Sequence, residues 1–393
     1  MTKISVTCSV CGSSKIEEFF AVDGIPVLSC ALWPTRERAE QCVRGNIRLG
    51  FCSSCGFIEN LIFDPELTDY SELYENALHF SKVYQDYAKV EAERMVERLD
   101  LHDKDVIEIG CGDGKFLSLL CAIGGNRARG FDPSYHPDKV IADWHESVTI
   151  VPEYYGEKHK NLVADMVASR HVLEHIPKPL DFMQSVRATI DDNLNTHVCF
   201  EVPNALFLIQ DLSIWDIIYE HCSYFTEPAL RKVFERTGFE VNEIRSTFDN
   251  QCLAIEAKPK TLEFKPTENQ MELERLLGLV TSFSQAANKR LATCRAQLED
   301  FVEKGKQVAL WGTGARAVIY LNMINVPGAI GCAVDINPRK HGAFLPGTGQ
   351  EIVAPEQLID FAPDTVLIMN PIYQKEISES LTALGIEAEL VVV

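Results

Sequence analysis

The sequence predicts an α/β protein with a central, doubly wound and mainly parallel sheet, a small cysteine-rich module before it and a second Rossmann-like α/β domain after it. Strand and helix patterns alternate over residues 80–258, which favours parallel strands joined by helices. Two Cys-x-x-Cys-Gly knuckles precede this region, and a second strand, glycine turn and helix begin near residue 306. The predicted domains are residues 1–70, 71–260 and 261–393.

Composition limits the classes of function. The chain has 393 residues, 37 Lys and Arg against 57 Asp and Glu, and a net charge of −20. An acidic surface of this kind disfavours nucleic acid and anionic membranes. The sequence has no apolar run near the roughly 20 residues that span a bilayer, and its N-terminus lacks a secretory pattern. We expect a cytoplasmic protein whose thirteen cysteines are reduced thiols or metal ligands.

The knuckles are CSVCG and CSSCG, separated by a 40-residue gap. Glycine after each pair permits the tight turn that directs two thiolates at one ion. Together they predict a tetrahedral structural zinc site, closed to substrate, formed by Cys8, Cys11, Cys52 and Cys55. The alternative is that the four cysteines are ordinary buried thiols.

The stretch VIEIGCGDGK reads as a buried strand that breaks into a glycine turn before a helix beginning at Lys115. Glycines at every second position let the backbone turn sharply and approach a ligand closely. Gly110, Gly112 and Gly114 therefore predict a nucleotide-sized site with backbone N–H groups at the helix start.

Acidic residues near this turn extend the predicted nucleotide site. Asp132 ends the next strand, 18 residues after the last glycine of the turn, where a carboxylate can accept both hydroxyls of a ribose. Asp165, at the start of a further strand, is included in the predicted cofactor site. Glu108 lies inside the first strand, and the glycines lack the spacing of a pyrophosphate-binding turn.

A polar and aromatic segment follows near residues 214–226. It contains Tyr219, Glu220, His221 and Tyr224 within six residues. Histidine titrates near neutrality, glutamate can orient it, and a tyrosine hydroxyl can donate to a developing oxyanion. These residue types predict acid–base chemistry, and the alternative is an aromatic core segment.

The C-terminal third begins with a predicted long amphipathic helix over residues 268–303, which either bridges domains or pairs with a second chain. Gly312-x-Gly314-x-x-Ala317 and the later Asp335 match a dinucleotide fingerprint, which taken alone suggests NAD. The loop 335–352 is basic and glycine-rich, so it suits a diphosphate or is a solvated turn. Its basic residues are Arg339, Lys340 and His341.

In order, the motifs CSVCG, CSSCG, IGCGDGKFL, RHVLEHI, FEVPN and YEHCSYF resemble the sugar C-methyltransferases of deoxysugar biosynthesis. The resemblance covers essentially the whole chain. It implies an N-terminal zinc module, a central class I methyltransferase domain for S-adenosylmethionine, and a C-terminal Rossmann-like domain that helps hold a nucleotide-sugar. Such enzymes methylate carbon 3 of a nucleotide-linked 4-keto-deoxysugar, here linked to thymidine or guanosine.

The resemblance also implies roles for individual residues. His221 matches the catalytic base, with Tyr219 and Glu220 beside it, and Glu108 supports the methionine amino end. The predicted substrate contacts are Tyr74 in a lid, His175, Asn204, Arg339, Lys340 and His341. The predicted protein is a monomer or homodimer. The rival hypotheses are an NAD(P)-dependent oxidoreductase using the Gly312 domain and a non-catalytic scaffold.

Overall fold

A computed structural model describes residues 7–68, 74–135, 145–160, 162–260 and 269–393. Their strands form sheets of four, seven and five strands. The predicted domain boundary at 70/71 lies within residues 69–73, which are outside the described residues. The predicted boundary at 260/261 lies at the start of residues 261–268, which are also outside them. Among the helices described, none is long and apolar enough to cross a membrane.

The first sheet belongs to the cysteine-rich module. Its strands and helix are β1 (Ile16–Pro26), α1 (Arg36–Glu40), β2 (Arg44–Cys52) and β3 (Ile58–Asn60). β1 pairs antiparallel with β2, and β2 with β3. The fourth strand comes from far along the chain, as Ser223 and Tyr224 pair with Glu59 and Ile58. The module is therefore joined by backbone hydrogen bonds to the segment that follows His221.

The second sheet confirms the predicted doubly wound architecture. Its elements are α2 (Lys82–Arg98), β4 (Asp105–Ile109), α3 (Lys115–Gly124), β5 (Arg127–Phe131), β6 (Val148–Val151), β7 (Met166–Arg170), α4 (Pro179–Ile190), β8 (His197–Pro203), α5 (Ala205–Gln210), α6 (Glu227–Arg236), β10 (Phe239–Thr247) and β11 (Cys252–Pro259). The strand β9 (Ser223–Tyr224), which lies between α5 and α6 in the chain, belongs to the first sheet. The strand order is β10-β11-β8-β7-β4-β5-β6, and β11 alone runs against the others. The carboxyl ends of β4, β5, β7 and β8 consequently share one edge, where ligands of such sheets bind.

The third sheet is wholly parallel, with order β14-β13-β12-β15-β16. Its elements are α7 (Gln270–Glu303), β12 (Val308–Trp311), α8 (Ala315–Ile324), β13 (Cys332–Val334), β14 (Ile352–Val353), α9 (Leu358–Phe361), β15 (Thr365–Ile368), α10 (Gln374–Ala383) and β16 (Glu389–Val392). Parallel strands alternating with helices make this a second Rossmann-like unit, as predicted.

The long helix α7 bridges parts of the same chain. Its Phe283 ring packs edge-on against Phe19 and Phe20 of β1, with centroids 5.8 and 5.3 Å apart. The same apolar core continues from α7 into the third sheet. Of the two predicted roles, the structure shows the bridging one.

A second contact between units lies at the start of α2. Ser81 Oγ donates to Glu376 Oε2 at 2.6 Å, and the Lys82 N–H donates to Glu376 Oε1 at 2.7 Å. The first N–H groups of a helix have no partner inside it. A carboxylate from α10 therefore helps cap the helix that leads into the glycine-turn strand.

Candidate active site

The glycine turn follows β4 and adopts the backbone that its sequence predicts. Gly110, Gly112 and Gly114 have φ values of 71°, 54° and 73°, a region that favours glycine. A Cβ on Gly110 would lie 2.2 Å from Val172 Cγ2, whereas one on Gly112 would have no neighbour within 4 Å. Gly110 thus packs against the segment after β7, and Gly112 faces open space wide enough for a ligand.

Asp132 and Glu108 are two acids close to this turn that are predicted to contact the cofactor. Asp132 Oδ2 accepts the Gly112 N–H at 2.8 Å, and Oδ1 accepts the N–H and Oγ of Ser134 at 2.9 and 2.6 Å. A carboxylate has about four lone-pair sites, so Oδ2 keeps capacity for one hydroxyl. Asp132 therefore braces the turn, and its Oδ2 can accept one further hydrogen bond.

Glu108 is the second acid, and it is almost completely buried. Within the described residues its Oε2 has no hydrogen-bond partner. Burial raises the pKa of its carboxyl to about 7. An unsatisfied carboxylate beside an open glycine turn fits the ammonium group of S-adenosylmethionine, so the residues present suit this cofactor.

Asp165 does not fit the predicted cofactor role. It precedes β7, and its Oδ2 accepts the N–H of Asp105 at 3.0 Å, at the opposite edge of the sheet. The five residues of β4 separate this edge from Gly110 by roughly 15 Å. The prediction for Asp165 is therefore corrected. Asp165 precedes β7, as its sequence pattern indicated, but it lies at the amino end of the strand, whereas the glycine turn lies at the carboxyl end of β4.

Two histidines meet beside the glycine turn. His175 follows Val172, the residue that contacts Gly110, and its ring lies 4.9 Å from that of His221 in an edge-to-face arrangement. His175 Nδ1 donates to the carbonyl of Glu220 at 3.1 Å, since a carbonyl can only accept. Removal from water, and then the neighbouring His175, lower the pKa of His221 to about 4. His221 is neutral at pH 7 and can accept a proton.

Glu220 does not orient His221 as predicted. Its Oε2 accepts the N–H and the Oγ of Ser29, at 3.1 and 2.5 Å. Burial raises its pKa to about 7, although hydrogen bonds from Ser29 and Tyr74 act in the opposite direction. The carboxyl therefore ties the lid tyrosine and the cysteine-rich module to the pocket, and only the Glu220 carbonyl supports the histidine pair.

Neither predicted tyrosine has a hydroxyl proton available for an oxyanion. Tyr219 is fully buried against Phe63, and its hydroxyl exchanges hydrogen bonds with the backbone of Asp64 at 3.1 and 3.4 Å. The Tyr224 hydroxyl donates to the Ile218 carbonyl at 3.1 Å. Both side chains position the segment around His221, which corrects the prediction that they act on substrate.

The basic loop after β13 is also committed internally. Lys340 is buried, and its Nζ lies 2.9 Å from Asp335 Oδ2, while His341 Nε2 contacts the Asp335 carbonyl at 2.8 Å. Thr313 donates to the same carboxylate from its N–H and its Oγ1. Asp335 is therefore occupied where an NAD ribose would bind. Lys340 Nζ and His341 Nε2 are thus engaged by Asp335, and their contact with a diphosphate remains a prediction.

Arg339 and Asn204 are likewise engaged. Arg339 Nη1 lies 3.4 Å from Glu75 and Nη2 3.9 Å from Asp113 in the glycine turn, so it links the third sheet to the cofactor loop. Asn204 caps α5 through Leu206 N–H and donates to the Asn250 carbonyl. The Asn204 amide is used by backbone groups, whereas the buried Nη2 of Arg339 has no hydrogen-bond partner within the described residues, so the substrate contact of Arg339 remains a prediction.

The four knuckle cysteines converge as predicted. Cys8 and Cys55 Sγ lie 3.6 Å apart, Cys11 and Cys52 Sγ 3.5 Å apart, and all four sulfurs within 4.8 Å of one another. A Zn–S bond of about 2.3 Å places the sulfurs of a tetrahedral site about 3.8 Å apart. The donor set and spacing suit zinc.

Sequence reasoning missed one group in the pocket. Glu174 is buried, and one of its carboxylate oxygens lies within 4.8 Å of a ring nitrogen of both His175 and His221. His171 Nδ1 lies 3.6 Å from its Oε1. The sequence RHVLEHI, in which Glu174 stands between His171 and His175, contains the signal that would have identified this carboxylate.

Comparisons with known proteins place two domains in sequence. Residues 84–244 match a methyltransferase domain, and residues 243–392 match a C-methyltransferase C-terminal domain. C-methyltransferase NovU of Streptomyces niveus is 27% identical over 302 residues, covering 72% of this chain and 71% of that protein. The match of residues 243–392 to a C-methyltransferase C-terminal domain disfavours the alternative hypothesis that the third sheet belongs to an NAD(P)-dependent oxidoreductase.

Two further matches cover less than half of the chain. A ubiquinone biosynthesis O-methyltransferase of Cupriavidus pinatubonensis is 28% identical over 173 residues, 39% of this chain and 68% of that protein. The crystal structure of Burkholderia thailandensis 1,6-didemethyltoxoflavin-N1-methyltransferase, with bound S-adenosylhomocysteine, shares 16% identity at a TM-score of 0.36, covering 46% of this chain and 82% of that one.

Proposed function

We propose that this chain is an S-adenosylmethionine-dependent C-methyltransferase that methylates carbon 3 of a nucleotide-linked 4-keto-6-deoxysugar. Its matches to a methyltransferase domain, to a C-methyltransferase C-terminal domain and to NovU support the type of reaction. The observation that carries the proposal is the neutral histidine pair beside the glycine turn. Val172 packs on Gly110, and the half-buried His175 and His221 lie with their rings 4.9 Å apart three residues further on and in the facing segment, respectively. A base in this place lies close to the site of the methyl donor.

A carbon acceptor explains why a base is needed. Carbon 3 becomes nucleophilic only after it loses the proton beside the 4-keto group, and His221 is the proposed acceptor of that proton. The C–H electron pair then forms an enolate. S-adenosylmethionine, when bound, supplies an electrophilic methyl group. Burial lowers the pKa of His221, so the ring is neutral at pH 7 and has a nitrogen lone pair for the proton.

The other proposed roles follow from the contacts. Glu108 holds the methionine ammonium, Asp132 a ribose hydroxyl, and Tyr74 with Glu220 forms a wall of the sugar pocket. We propose a structural zinc at the four cysteines, since four thiolates leave no position open to substrate.

The predicted division into residues 1–70, 71–260 and 261–393 also remains a proposal. The last segment would help hold the nucleotide part of the substrate. Its support is that Arg339 borders the glycine turn through Asp113, so this unit lies next to the cofactor site.

The test is incubation with a panel of nucleotide 4-ketosugars and methyl donor, read by mass for one added methyl group. In deuterated water, the same substrates should exchange the proton at carbon 3. We expect His221→Gln to lose both exchange and turnover by at least about 10²-fold, while calorimetry still detects S-adenosylhomocysteine. Unchanged exchange in this variant would show that His221 is not the base. Failure of every ketosugar to gain a methyl group would refute the substrate class.

A further inference from the structure

Glu174 is a buried carboxylate with an unusual lack of hydrogen bonds. Its side chain is almost fully inaccessible, and neither oxygen has a hydrogen-bond partner in the part of the chain that the structure describes. It lies in the short turn after β7, between the glycine-turn contact Val172 and the pocket histidine His175. Burying such a group is costly unless a positive charge offsets it.

The charges around Glu174 favour its ionised form. Burial raises the pKa of Glu174, but His171, His175 and His221 together lower it by more than burial raises it. The pKa of this carboxyl therefore lies below its ordinary value. Burial also opposes protonation of His171, yet Glu174 and Glu201 raise the pKa of this histidine to about 10. His171 is therefore a cation at neutral pH, shared between two carboxylates.

His221 faces the same carboxylate from another element. The ionisable and charged groups around His221 are His175, Glu174, Asp216, His171 and Tyr224. Glu174 favours the protonated form of His221, whereas burial, His175 and His171 oppose it. Glu220, the sequence neighbour of His221, instead binds Ser29.

We propose that Glu174 is the positioning residue that provides the counter-charge for the His221 imidazolium formed during proton abstraction. This inference rests on the proposed function. The carbon 3–hydrogen bond breaks, the proton passes to a ring nitrogen of His221, and the electron pair becomes the enolate. The charge of His221 changes from zero to +1 within 4.8 Å of a carboxylate that is held ionised by His171, whose Nδ1 lies 3.6 Å from Oε1. The attraction grows as positive charge develops on His221 in the transition state, which lowers the barrier relative to the neutral ground state.

The first test needs no substrate. The protein is labelled with ¹³C-histidine, the His221 signal is assigned with His221→Gln, and its titration is followed in full-length Glu174→Gln. Glutamine keeps the size and removes the charge, so we expect the midpoint for His221 to fall by about one pH unit or more. Glu220→Gln is the matched control and should leave the His221 midpoint unchanged. An unchanged midpoint in folded Glu174→Gln would overturn the proposal.

The second test uses the ketosugar that the wild-type enzyme methylates. Glu174→Gln should lower kcat by about 10²-fold with little change in KM, slow deuterium exchange at carbon 3 equally, and shift the acidic limb of the rate profile to lower pH. Glu174→Asp keeps the negative charge but holds it further from His221, because the side chain is one methylene shorter. This variant should have a rate and a His221 titration midpoint between those of wild type and Glu174→Gln. If glutamine prevents folding, a wild-type midpoint in the aspartate variant would refute the role. Absence of any substrate would contradict the proposed function alone, because the titration stands without it.

Discussion

Gly110 and Gly112 stand two residues apart in one turn, yet the structure predicts opposite results when each becomes alanine. Both have positive φ, 71° and 54°, so each alanine costs about 1–2 kcal/mol of backbone strain. At Gly110 the new methyl would also lie 2.2 Å from Val172 Cγ2. Overpacking of this kind adds about 1–3 kcal/mol. The expected loss for Gly110→Ala is then about 2–5 kcal/mol in the free energy of unfolding.

For Gly112→Ala the cost to stability stops at the backbone strain, because its Cβ has no neighbour within 4 Å. The methyl would instead fill the space that the turn leaves for cofactor, while the N–H that Asp132 accepts is retained. We expect a protein that melts within a few degrees of wild type and binds S-adenosylhomocysteine at least about 10-fold more weakly, equivalent to about 1.4 kcal/mol.

Thermal unfolding and calorimetric titration of the two variants separate these effects. Gly110→Ala should show the larger loss of stability, and Gly112→Ala the loss of affinity at near-normal stability. Wild-type affinity in folded Gly112→Ala would refute the assignment of this open space to the methyl donor. A melting temperature equally reduced in both would refute the role of Val172 as the close neighbour.

Two further predictions concern groups at either end of the site. Because burial raises the pKa of Glu108 to about 7, S-adenosylmethionine affinity should fall about 10-fold per pH unit below that value, as the carboxyl protonates and loses its charge. Calorimetry across pH should show this slope in wild type and none in Glu108→Gln; an equal slope in both would exclude Glu108 as the titrating group. Purified protein should contain about one zinc per chain, and Cys11→Ser should lose it with destabilisation of the cysteine-rich module, whereas Cys332→Ser, outside the cluster, should retain it. Full zinc content in Cys11→Ser by elemental analysis would contradict the site.

Local sequence patterns determined much of the fold because their partners are close in sequence. The strand, glycine turn and helix from Val106 onward need only alternating burial and positive φ, and the structure confirms β4 and α3 there. The convergence of the four knuckle cysteines was also predictable from the sequence, because each Cys-x-x-Cys-Gly forms a turn that brings two thiols close to each other. Both predictions depended on spacing alone.

The errors share a physical cause, which is long-range partnership. The residue type of Tyr219 suggested a proton donor, but its hydroxyl is bound by the backbone of Asp64, 155 residues away. Glu220 was paired with its sequence neighbour, although its carboxyl faces Ser29, 191 residues earlier. A sequence specifies which group is available, and only the packing decides what it meets.

The helix α2 begins with a cap that lies 295 residues further along the chain, since Ser81 donates to Glu376. During synthesis from the N-terminus, the central domain leaves the ribosome long before Glu376 does. This contact is absent from any nascent or truncated chain that lacks Glu376, in which Ser81 alone caps the first turn of α2 by accepting the Tyr84 N–H. The helix that leads into the glycine turn is therefore fully capped only once α10 has been made.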